Sequence, residues 1–322
     1  MFVIGHNGDD VNEYKLTTCF DISTAKFVES FDTQTEDDDS RDVKFNQNGT
    51  KMFVLGKQND RVCEYTLSIG FDVSSTVTLV DCASVSEESK PDELEFNPDG
   101  TKMFVMGESG DDVNEYTLST AWDVSTASFV DSFDISAQNP QVRGLAFSND
   151  GTKMFTTNNH HNTIEEYTLT TGFDVSTASH TDSMDISSYD LGIRGITFNN
   201  DGTRMFFHGQ SGHDINEFTL STAYDLSTST YVGTTTPPSV DAGAEDIAFN
   251  NDGTKMFIVG KTGADVNEYT LSTGYDLSST VTFVDSFSVS AKESGPTAVK
   301  FNTDGTKMFI TGVSSSNVHE YA

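Results

Sequence analysis

Residues 96–136 read FNPDGTKMFVMGESGDDVNEYTLSTAWDVSTASFVDSFDIS, and the rest of the chain repeats this stretch. A Gly-Thr pair near its start marks each copy. The pair recurs at Gly49, Gly100, Gly151, Gly202, Gly253 and Gly305, with spacings of 51, 51, 51, 51 and 52 residues. A fixed period of this size predicts a repeat architecture in which each copy is one structural unit.

Each copy contains four short runs rich in Val, Phe, Tyr, Ile and Thr, which predict four β-strands, A to D. Strand A ends in a turn such as Asn149-Asp150-Gly151, because Asp and Gly accept the positive φ of a tight hairpin. Strand B follows as KMFTT, strand C resembles VNEYTL, and strand D resembles SFVDSFDI. Strands A and B are apolar on both faces, which fits a sheet packed between two others. Four antiparallel strands in about 50 residues predict the blade of a β-propeller.

The motif F-x-x-D-G-T-K-M-F-V-x-G followed by V-x-E-Y resembles the innermost strands of YVTN-type and TolB-like propellers. The resemblance covers essentially all 322 residues and implies an all-β propeller. It does not imply one function, because such blades serve lactonases, periplasmic binding proteins, adhesins and components of virions or filaments. The fuller form, with DVNEYTLST and FDVSTASF, is similar to repeats in extracellular proteins of marine bacteria and their phages.

The chain is predicted to be one propeller domain over residues 1–322, with seven blades favoured and six as the alternative. The blades are expected near residues 1–33, 41–86, 92–136, 143–187, 194–236, 245–290 and 297–322. Seven B–C pairs favour seven blades, although the first copy lacks strand A and the last lacks strand D. These incomplete terminal blades have three interpretations: a fragment of a longer chain, terminal irregularity, or completion of a blade in a neighbouring subunit.

The formal net charge is −32, from 50 acidic and 18 basic residues. This charge argues against nucleic acid and an anionic membrane surface as partners, because both would repel the protein. It favours a salt-adapted surface, divalent cations or a basic partner. We expect no membrane insertion, since no apolar run approaches the roughly 18 residues of a spanning helix. Met1 aligns with the repeat's own methionine, as in Met52, so no signal peptide is expected in this sequence.

Three cysteines are present, and their pairing stays open at this point. Cys63 lies in strand C and Cys82 in strand D of the same blade, so that a C–D hairpin can bring them opposite each other. Two small buried thiols fit the sequence equally well. With Cys19 as the third cysteine, the sequence defines no disulfide framework.

Two carboxylates recur in every copy and are therefore interpreted as structural. The Glu of strand C is expected to pair across the hairpin with the repeated Lys or Arg of strand B. The Asp of the C–D link is expected to cap a turn. The glutamates are Glu13, Glu64, Glu115, Glu166, Glu217, Glu268 and Glu320, and the aspartates are Asp21, Asp72, Asp123, Asp174, Asp225 and Asp276.

The A–B and C–D links are nearly invariant between copies, whereas the B–C and D–A links vary. The variable links share one face, which is the better candidate for a binding face. A ring of mixed charge is expected just before strand A, where it would hold a small polar ligand or a cation, or form a solvated rim. Its members are Arg41, Asp42, Asp92, Glu93, Arg143, Arg194, Glu245 and Asp246.

No cofactor is predicted, with Ca²⁺ as the one candidate ion. Calcium prefers clustered oxygen ligands, and the B–C links of the variable face carry aspartates. They are Asp9, Asp10, Asp60, Asp111, Asp112, Asp214 and Asp265. No D-x-D-x-D-G loop is present. His160 and His161 are adjacent and make a poor zinc pair, because adjacent strand residues point to opposite sides.

The leading functional expectation is a non-enzymatic, extracellular structural or binding module at a cell or virion surface. It would act through protein contacts, with self-assembly into a fibre or array by completion of terminal blades as one form. The first alternative is an adhesin or phage tail component that binds carbohydrate or another surface. The second is a lactonase-like enzyme, which would need a metal or an acid–base cluster at the channel mouth. No catalytic motif of a known class appears in the sequence.

Overall fold

The computed structural model describes residues 10–33, 35–37, 39–107, 109–138, 142–209, 211, 214–235, 244–292 and 294–312. These residues form strands β1 to β24, arranged as six four-stranded sheets. Neighbouring strands within the sheets run antiparallel. The fold is therefore an all-β, six-bladed β-propeller, in which each sheet is one blade.

The chain begins with β1 (Asp10–Leu16) and β2 (Ala25–Asp32), which belong to the last blade. Blade 1 contains β3 (Ser40–Phe45), β4 (Lys51–Gly56), β5 (Arg61–Leu67) and β6 (Val77–Ser84). Blade 2 contains β7 (Pro91–Phe96), β8 (Lys102–Gly107), β9 (Asp112–Leu118) and β10 (Ala127–Asp134). Blade 3 contains β11 (Val142–Phe147), β12 (Lys153–Asn158), β13 (Thr163–Leu169) and β14 (Ala178–Asp185).

Blade 4 contains β15 (Ile193–Phe198), β16 (Arg204–Gly209), β17 (Ile215–Leu220) and β18 (Ser229–Thr235). Blade 5 contains β19 (Ala244–Phe249), β20 (Lys255–Gly260), β21 (Asp265–Leu271) and β22 (Val281–Ser288). Blade 6 combines β23 (Pro296–Phe301) and β24 (Lys307–Gly312) with β1 and β2. Short 3₁₀ turns precede four of the outer strands, at Ile22–Thr24, Val124–Thr126, Val175–Thr177 and Leu226–Thr228.

The blade number corrects the sequence prediction, which favoured seven blades over six. The segments expected as two incomplete blades, near residues 1–33 and 297–322, form one sheet in the order β2-β1-β24-β23. The pairing of β1 with β24 places Asn12 opposite Ile310 and Tyr14 opposite Met308. The N-terminal segment supplies β1 and β2, the third and fourth strands of blade 6, and the C-terminal segment supplies β23 and β24, the first and second. Pairing of β1 with β24 therefore covers the open edge of each segment. The surplus strand-like runs, residues 1–5 and 317–321, lie outside the described residues.

The described residues divide into two compact units. The first unit, from Met1–Asn59, Cys63–Val80 and Thr234–Ala322, holds blade 5, blade 6 and most of blade 1. The second unit, from Asp60–Val62 and Asp81–Gly233, holds blades 2, 3 and 4.

Each unit has a core formed between successive blades. In the first unit, Phe257 of blade 5 packs in one cluster with Tyr14 and Met308 of blade 6. In the second unit, Phe104 of blade 2 packs with Met154 and Tyr167 of blade 3. The second strand of blade 2 is buried on both faces, since Met103 and Phe104 are both 0% exposed. This confirms the prediction of a sheet packed between two others.

The invariant Gly-Thr turn is covered by an aromatic side chain of the same blade. In blade 2, Gly100 has φ +72°, and a Cβ atom there would lie 2.2 Å from the Trp122 ring. The backbone N–H of Trp122 donates to the Gly100 carbonyl at 2.8 Å. Trp122 itself has a φ of 60°, a conformation that costs energy for a side chain of this size. Only glycine fits beneath the ring, which explains why the turn is repeated without change.

Candidate functional site

An ion pair between a buried glutamate and a half-buried lysine or arginine joins the second and third strands of each blade, as the repeated residues predict. In blade 2 the Lys102 Nζ lies 2.6 Å from Glu115 Oε1, and Glu115 is 1% exposed. We call this Lys/Arg–Glu pair the latch. The other latches are Lys51–Glu64 at 2.7 Å, Lys255–Glu268 at 2.6 Å, Lys153–Glu166, Arg204–Glu217 and Lys307–Glu13. Glu320, the seventh glutamate of the series, lies outside the described residues.

The latch also connects successive blades. The second oxygen of Glu115 accepts the N–H of Val175, in the turn of blade 3, at 2.8 Å. The Lys102 ammonium donates to the carbonyl of Phe173 at 2.6 Å. The same bond recurs as Leu226 N to Glu166 at 2.7 Å, Ile22 N to Glu268 at 2.9 Å and Val73 N to Glu13 at 2.7 Å. In these four latches the glutamate thus bonds within its own blade and to the next blade.

The electrostatics of the latch are clearest in blade 6. Burial raises the pKa of the Glu13 carboxyl, while the hydrogen bond and positive charge of Lys307 and the Val73 N–H oppose this shift. The repeated aspartates of the neighbouring link cap turns, as predicted. Asp21, Asp123 and Asp225 each accept the N–H two residues further on at 3.1 Å. Both repeated carboxylates thus have structural roles that recur from blade to blade.

The candidate charge ring coincides with a structural feature that the sequence analysis did not predict. The first strand of every blade has a β-bulge near its start, where the register shifts by one residue. A bulge redirects the side chain of the extra residue. The extra residues are Arg41, Asp92, Arg143, Arg194, Glu245 and Thr297. Five of them are members of the predicted ring, and Thr297 is the uncharged equivalent in blade 6.

In blade 1 the predicted site residues bind near neighbours on their own segment. The Arg41 Nε lies 2.8 Å from Asp39 Oδ1. The Asp42 carboxylate accepts the Val43 N–H at 2.7 Å and lies 3.2 Å from the Lys44 ammonium. Arg41 and Asp42 are both half-buried. These short local contacts are typical of a partly solvated rim.

In blade 5 the predicted site residue Asp246 connects two blades. Its Oδ2 accepts the N–H of Val299, in β23 of blade 6, at 3.1 Å. The same oxygen lies 2.8 Å from the Lys300 ammonium, whose side chain is 49% exposed. Glu245, the bulge residue beside it, is half-buried. The structure thus gives Asp246 a role in blade packing.

In the second unit the predicted residues lie on three successive blades. Asp92 and Glu93 are half-buried on β7, with Glu93 opposite Met106. Arg143 lies on β11 and Arg194 on β15, each at the bulge position. Asp92 is the bulge residue of β7, and Glu93 follows it on the same strand.

The link before the first strand contains buried acids whose role the sequence analysis missed. Glu88 is fully buried and accepts the N–H groups of Ser109 and Gly110 at 3.2 and 3.0 Å. Asp37 accepts from Asn59 at 2.8 Å, and Asp190 accepts from Gly209 at 2.9 Å. These acids fix the loop between the second and third strands. An acidic residue three positions before the first strand is the sequence signal that would have found them.

The described aspartates among the calcium candidates form hydrogen bonds to nearby loop and strand residues, through their carbonyl or carboxylate oxygens. Asp60 and Asp111 have positive φ, and their carbonyls accept the N–H groups of Val85 and Ile135 at 2.8 and 2.9 Å. Asp112 accepts Asn114 Nδ2 at 2.7 Å. Asp214 and Asp265 accept asparagine side chains two residues further on, at 3.0 and 2.9 Å.

Burial and the negative charges of Glu88 and Asp134 raise the pKa of the Asp112 carboxyl, against the Asn114 bond. Within the described ranges, no three His, Cys, Asp or Glu residues are grouped as metal ligands. Asp9 and the side chain of Asp10 fall outside those ranges.

The histidine pair also lies in a loop. The His160 and His161 N–H groups both donate to Asn158 Oδ1, at 2.8 and 2.9 Å. Asn158 in turn donates to the Gln138 carbonyl at 3.1 Å. Asn158, the last residue of β12, therefore holds this loop, whereas in blades 1, 2 and 4 an acid in the link before the first strand does so.

Cys63 and Cys82 are disulfide-bonded, whereas Cys19 is free and exposed. The bond joins the third and fourth strands of blade 1, which settles the question that the sequence left open. Disulfides persist mainly in oxidising compartments. No helix among the described residues is long and apolar enough to cross a membrane.

The outer strands carry exposed apolar side chains. On β10, Phe129 is 44% and Val130 is 52% exposed. On β6, Leu79 and Val80 are 42% and 48% exposed, and on β22 Val284 is 46% exposed. Four outer strands have a bulge at the same place, where the extra residues are Val28, Val130, Thr181 and Val284.

Comparison with solved structures supports the fold. A candidate 6-phosphogluconolactonase from Bacteroides uniformis is 14% identical, with 94% of this chain and 89% of the other covered at a TM-score of 0.62. The periplasmic gluconolactonase of Pseudomonas aeruginosa is 16% identical, with 94% and 88% covered at 0.58. Sqt1 of Chaetomium thermophilum, solved with the N-terminus of a ribosomal protein, is 16% identical, with 93% and 79% covered at 0.53.

These similarities show a β-propeller that structurally resembles lactonase-type proteins. No protein-family model matches the sequence, and no curated protein matches it. At identities this low, the similarity extends to the fold and not to a function.

Proposed function

We propose that this protein is a non-enzymatic, extracellular binding propeller whose outer strands contact other proteins. The observation that carries the proposal is the pair of exposed apolar side chains on the outer strand of blade 2, Phe129 and Val130. Exposed apolar surface with a polar rim is typical of protein interaction sites. Blade 1 repeats the pair with Leu79 and Val80.

The bulges favour contact through side chains over strand addition. A bulge on an edge strand disrupts its row of hydrogen-bonding groups and so blocks edge-to-edge pairing. Val130 is the bulge residue of β10, and the bulge leaves it beside Phe129 on the exposed surface. A partner would therefore cover these side chains and would not extend the sheet.

The charge indicates the chemistry of the partner. Asp131 and Asp134 are exposed on the same strand, and the chain as a whole has a net charge of −32. A partner with a basic surface around an apolar patch would be attracted over long range and would match the strand at contact. The disulfide of Cys63 and Cys82 supports an extracellular location.

Self-assembly by completion of terminal blades is not part of this proposal. The β1 and β24 strands pair with each other within one chain, so these two edges are already occupied. A surface glycan is the alternative partner, and a glycan array tests it.

The proposal is tested by photo-crosslinking on cells of the source organism. A photoreactive phenylalanine replaces Phe129 in one variant and Ile69, which is 60% exposed on a link, in the control. We expect a discrete protein adduct at position 129 that excess unmodified protein abolishes, with no such adduct at position 69. No adduct at 129, or the same adduct at both positions, would contradict the proposal.

A lactonase-like activity is the second candidate, and it rests on the similarity to the Pseudomonas aeruginosa gluconolactonase. The test is the hydrolysis of gluconolactone by the purified protein. We expect the rate to equal the spontaneous one. A rate that rises in proportion to protein concentration would replace the binding proposal with an enzymatic one.

A further inference from the structure

The first turn of blade 1 carries an asparagine where the other blades carry an aspartate. Asn48 is exposed and precedes Gly49 in the turn between β3 and β4. The equivalent residues, each also followed by glycine, are Asp99, Asp150, Asp201, Asp252 and Asp304. The sequence contains one other Asn-Gly pair, Asn7-Gly8, which lies outside the described residues.

An Asn-Gly pair is prone to spontaneous deamidation. The backbone nitrogen of the glycine bonds to the amide carbon of the asparagine side chain, and ammonia leaves, so that a cyclic succinimide forms. Water then opens the ring at one of its two carbonyls, which gives aspartate or isoaspartate. Glycine favours the attack because it has no side chain that shields its nitrogen. Asn48 therefore carries a reactive amide, and its surroundings decide whether the amide reacts.

The native turn holds both reacting groups in hydrogen bonds. The Gly49 N–H donates to the Asn46 carbonyl at 3.0 Å. Asn48 Oδ1 accepts the N–H of Thr50 at 3.1 Å and its hydroxyl at 2.7 Å. The backbone N–H of Phe71 donates to the Gly49 carbonyl at 2.9 Å and fixes the turn from its outer side. The Asn48 amide carbon can bond to the Gly49 nitrogen only after this arrangement opens.

We propose that Asn48 is a deamidation site that the folded turn keeps closed and that reacts when blade 1 opens. Local or global unfolding breaks the bonds to Asn46 and Thr50 together, and the side chain of Asn48 can then rotate onto the Gly49 nitrogen. Deamidation of Asn48 in this protein therefore measures how often the turn is open. The reaction consumes only water and releases ammonia, so it needs no enzyme.

The two products differ in whether they fit the turn. Aspartate reproduces the turn of blade 2, where Asp99 accepts the N–H and the hydroxyl of Thr101 at 3.0 and 2.6 Å. Isoaspartate inserts an additional carbon atom into the backbone between residue 48 and Gly49. This insertion displaces the Gly49 N–H from the Asn46 carbonyl. We therefore expect chains with aspartate to refold and chains with isoaspartate to fail.

The first test compares folded and unfolded protein. The full chain is incubated at mildly alkaline pH, with and without a denaturing concentration of guanidinium chloride. Mass spectrometry of the tryptic peptide 45–51 measures the conversion of Asn48 from amide to acid. We expect deamidation to be at least tenfold faster in the unfolded sample. Asn46 in the same peptide precedes Gln47 and is the internal control, which should keep its amide in both samples.

A pair of variants tests the turn without unfolding the protein. Thr50→Val removes the hydroxyl bond to Asn48, and we expect deamidation of Asn48 in the folded protein to become at least threefold faster. The matched control is Thr101→Val, which removes the same bond from the turn of blade 2. It should leave the rate at Asn48 within twofold of the wild type. In guanidinium chloride, all three proteins should react at the same rate.

The products are tested by refolding the deamidated sample and isolating the native monomer by size-exclusion chromatography. Electron-transfer fragmentation distinguishes aspartate from isoaspartate at residue 48. We expect the native fraction to retain the aspartate form and to be depleted at least fivefold in the isoaspartate form. Equal rates in folded and unfolded protein, a Thr50→Val protein with the wild-type folded rate, or an undiminished share of isoaspartate in the native fraction would each overturn the proposal.

Discussion

Blades 2 and 6 have the same contacts but different chain connectivity. In blade 2 the latch joins Lys102 to Glu115, which are 13 residues apart. In blade 6 the latch joins Lys307 to Glu13, which are 294 residues apart. The glycine turn repeats the contrast: Gly100 lies under Trp122, whereas Gly305 lies under Phe20 from the other end of the chain.

The comparison shows how a repeat closes a propeller without dedicated residues. In blade 2 the latch and the covered glycine stabilise a local hairpin. In blade 6 the same side chains hold the two ends of the chain together, along with the pairing of β1 and β24. These contacts together offset the entropy cost of closing a very long loop, a cost that the local hairpin of blade 2 does not have.

The largest expected effect comes from removing the latch glutamate in each blade. Glu13→Ala and Glu115→Ala each leave a half-buried lysine without its carboxylate and a backbone N–H without its acceptor. We expect a loss of about 3 kcal/mol in the free energy of unfolding, at the low end for buried pairs because the lysines are partly solvated. Glu13→Ala should in addition form dimers at high protein concentration, because the freed chain ends can pair between molecules. Urea unfolding and light scattering measure the two effects.

The control for the latch is Asp131→Ala, an exposed acid on β10 that should cost little. If Glu13→Ala stayed monomeric and lost no more stability than Asp131→Ala, the latch would have no part in closing blade 6.

A smaller effect is expected at the covered glycines. Gly100→Ala and Gly305→Ala force a methyl group against Trp122 and Phe20 at positive φ, and we expect each to cost about 2 kcal/mol. Gly233→Ala is the matched control, since a Cβ there meets nothing within 4 Å. Thermal unfolding of the three variants distinguishes them. A Gly305→Ala protein as stable as Gly233→Ala would contradict the covered-turn account of blade 6.

The smallest effect concerns pH and should be equal in the two blades. Hydrogen bonds from Thr101 lower the pKa of Asp99, and those from Thr306 lower the pKa of Asp304. A lowered pKa in the folded state stabilises the protein above the unfolded pKa, and this contribution is lost as the pH falls below about 4. Asn48 holds the equivalent position in blade 1 and does not titrate.

We therefore expect Asp99→Asn and Asp304→Asn to reduce the fall in melting temperature between about pH 5 and pH 2 by about 1–2 °C each. Melting curves across this range measure it. A larger fall in either variant would show that protonation of the aspartate stabilises the folded protein, which would contradict the lowered pKa.

Most of the fold follows from the period of the sequence. The Gly-Thr turn, the alternation of strands and the latch pairs are local, so one copy such as residues 96–136 contains them. The blade number is not local. Seven copies of the B–C pair occur, and nothing within a copy shows that β24 pairs with β1 at the other end of the chain. That choice depends on which blade edges meet in space.

The candidate site was less predictable than the fold. The predicted ring located the bulge positions, but a sequence does not show that Asp246 turns towards Val299 and Lys300 of the next blade. The buried Glu88 looks like any other acid in an acidic link until its loop partners are known.

The closure of blade 6 is tested most directly by chemical cross-linking of Lys15 and Lys307, which lie opposite each other on β1 and β24. Unlabelled and isotope-labelled protein are mixed, cross-linked through their amines and analysed by mass spectrometry. The account predicts a Lys15–Lys307 cross-link in which both peptides always carry the same label. Mixed-label pairs, or the absence of this cross-link, would contradict a blade built from the two ends of one chain.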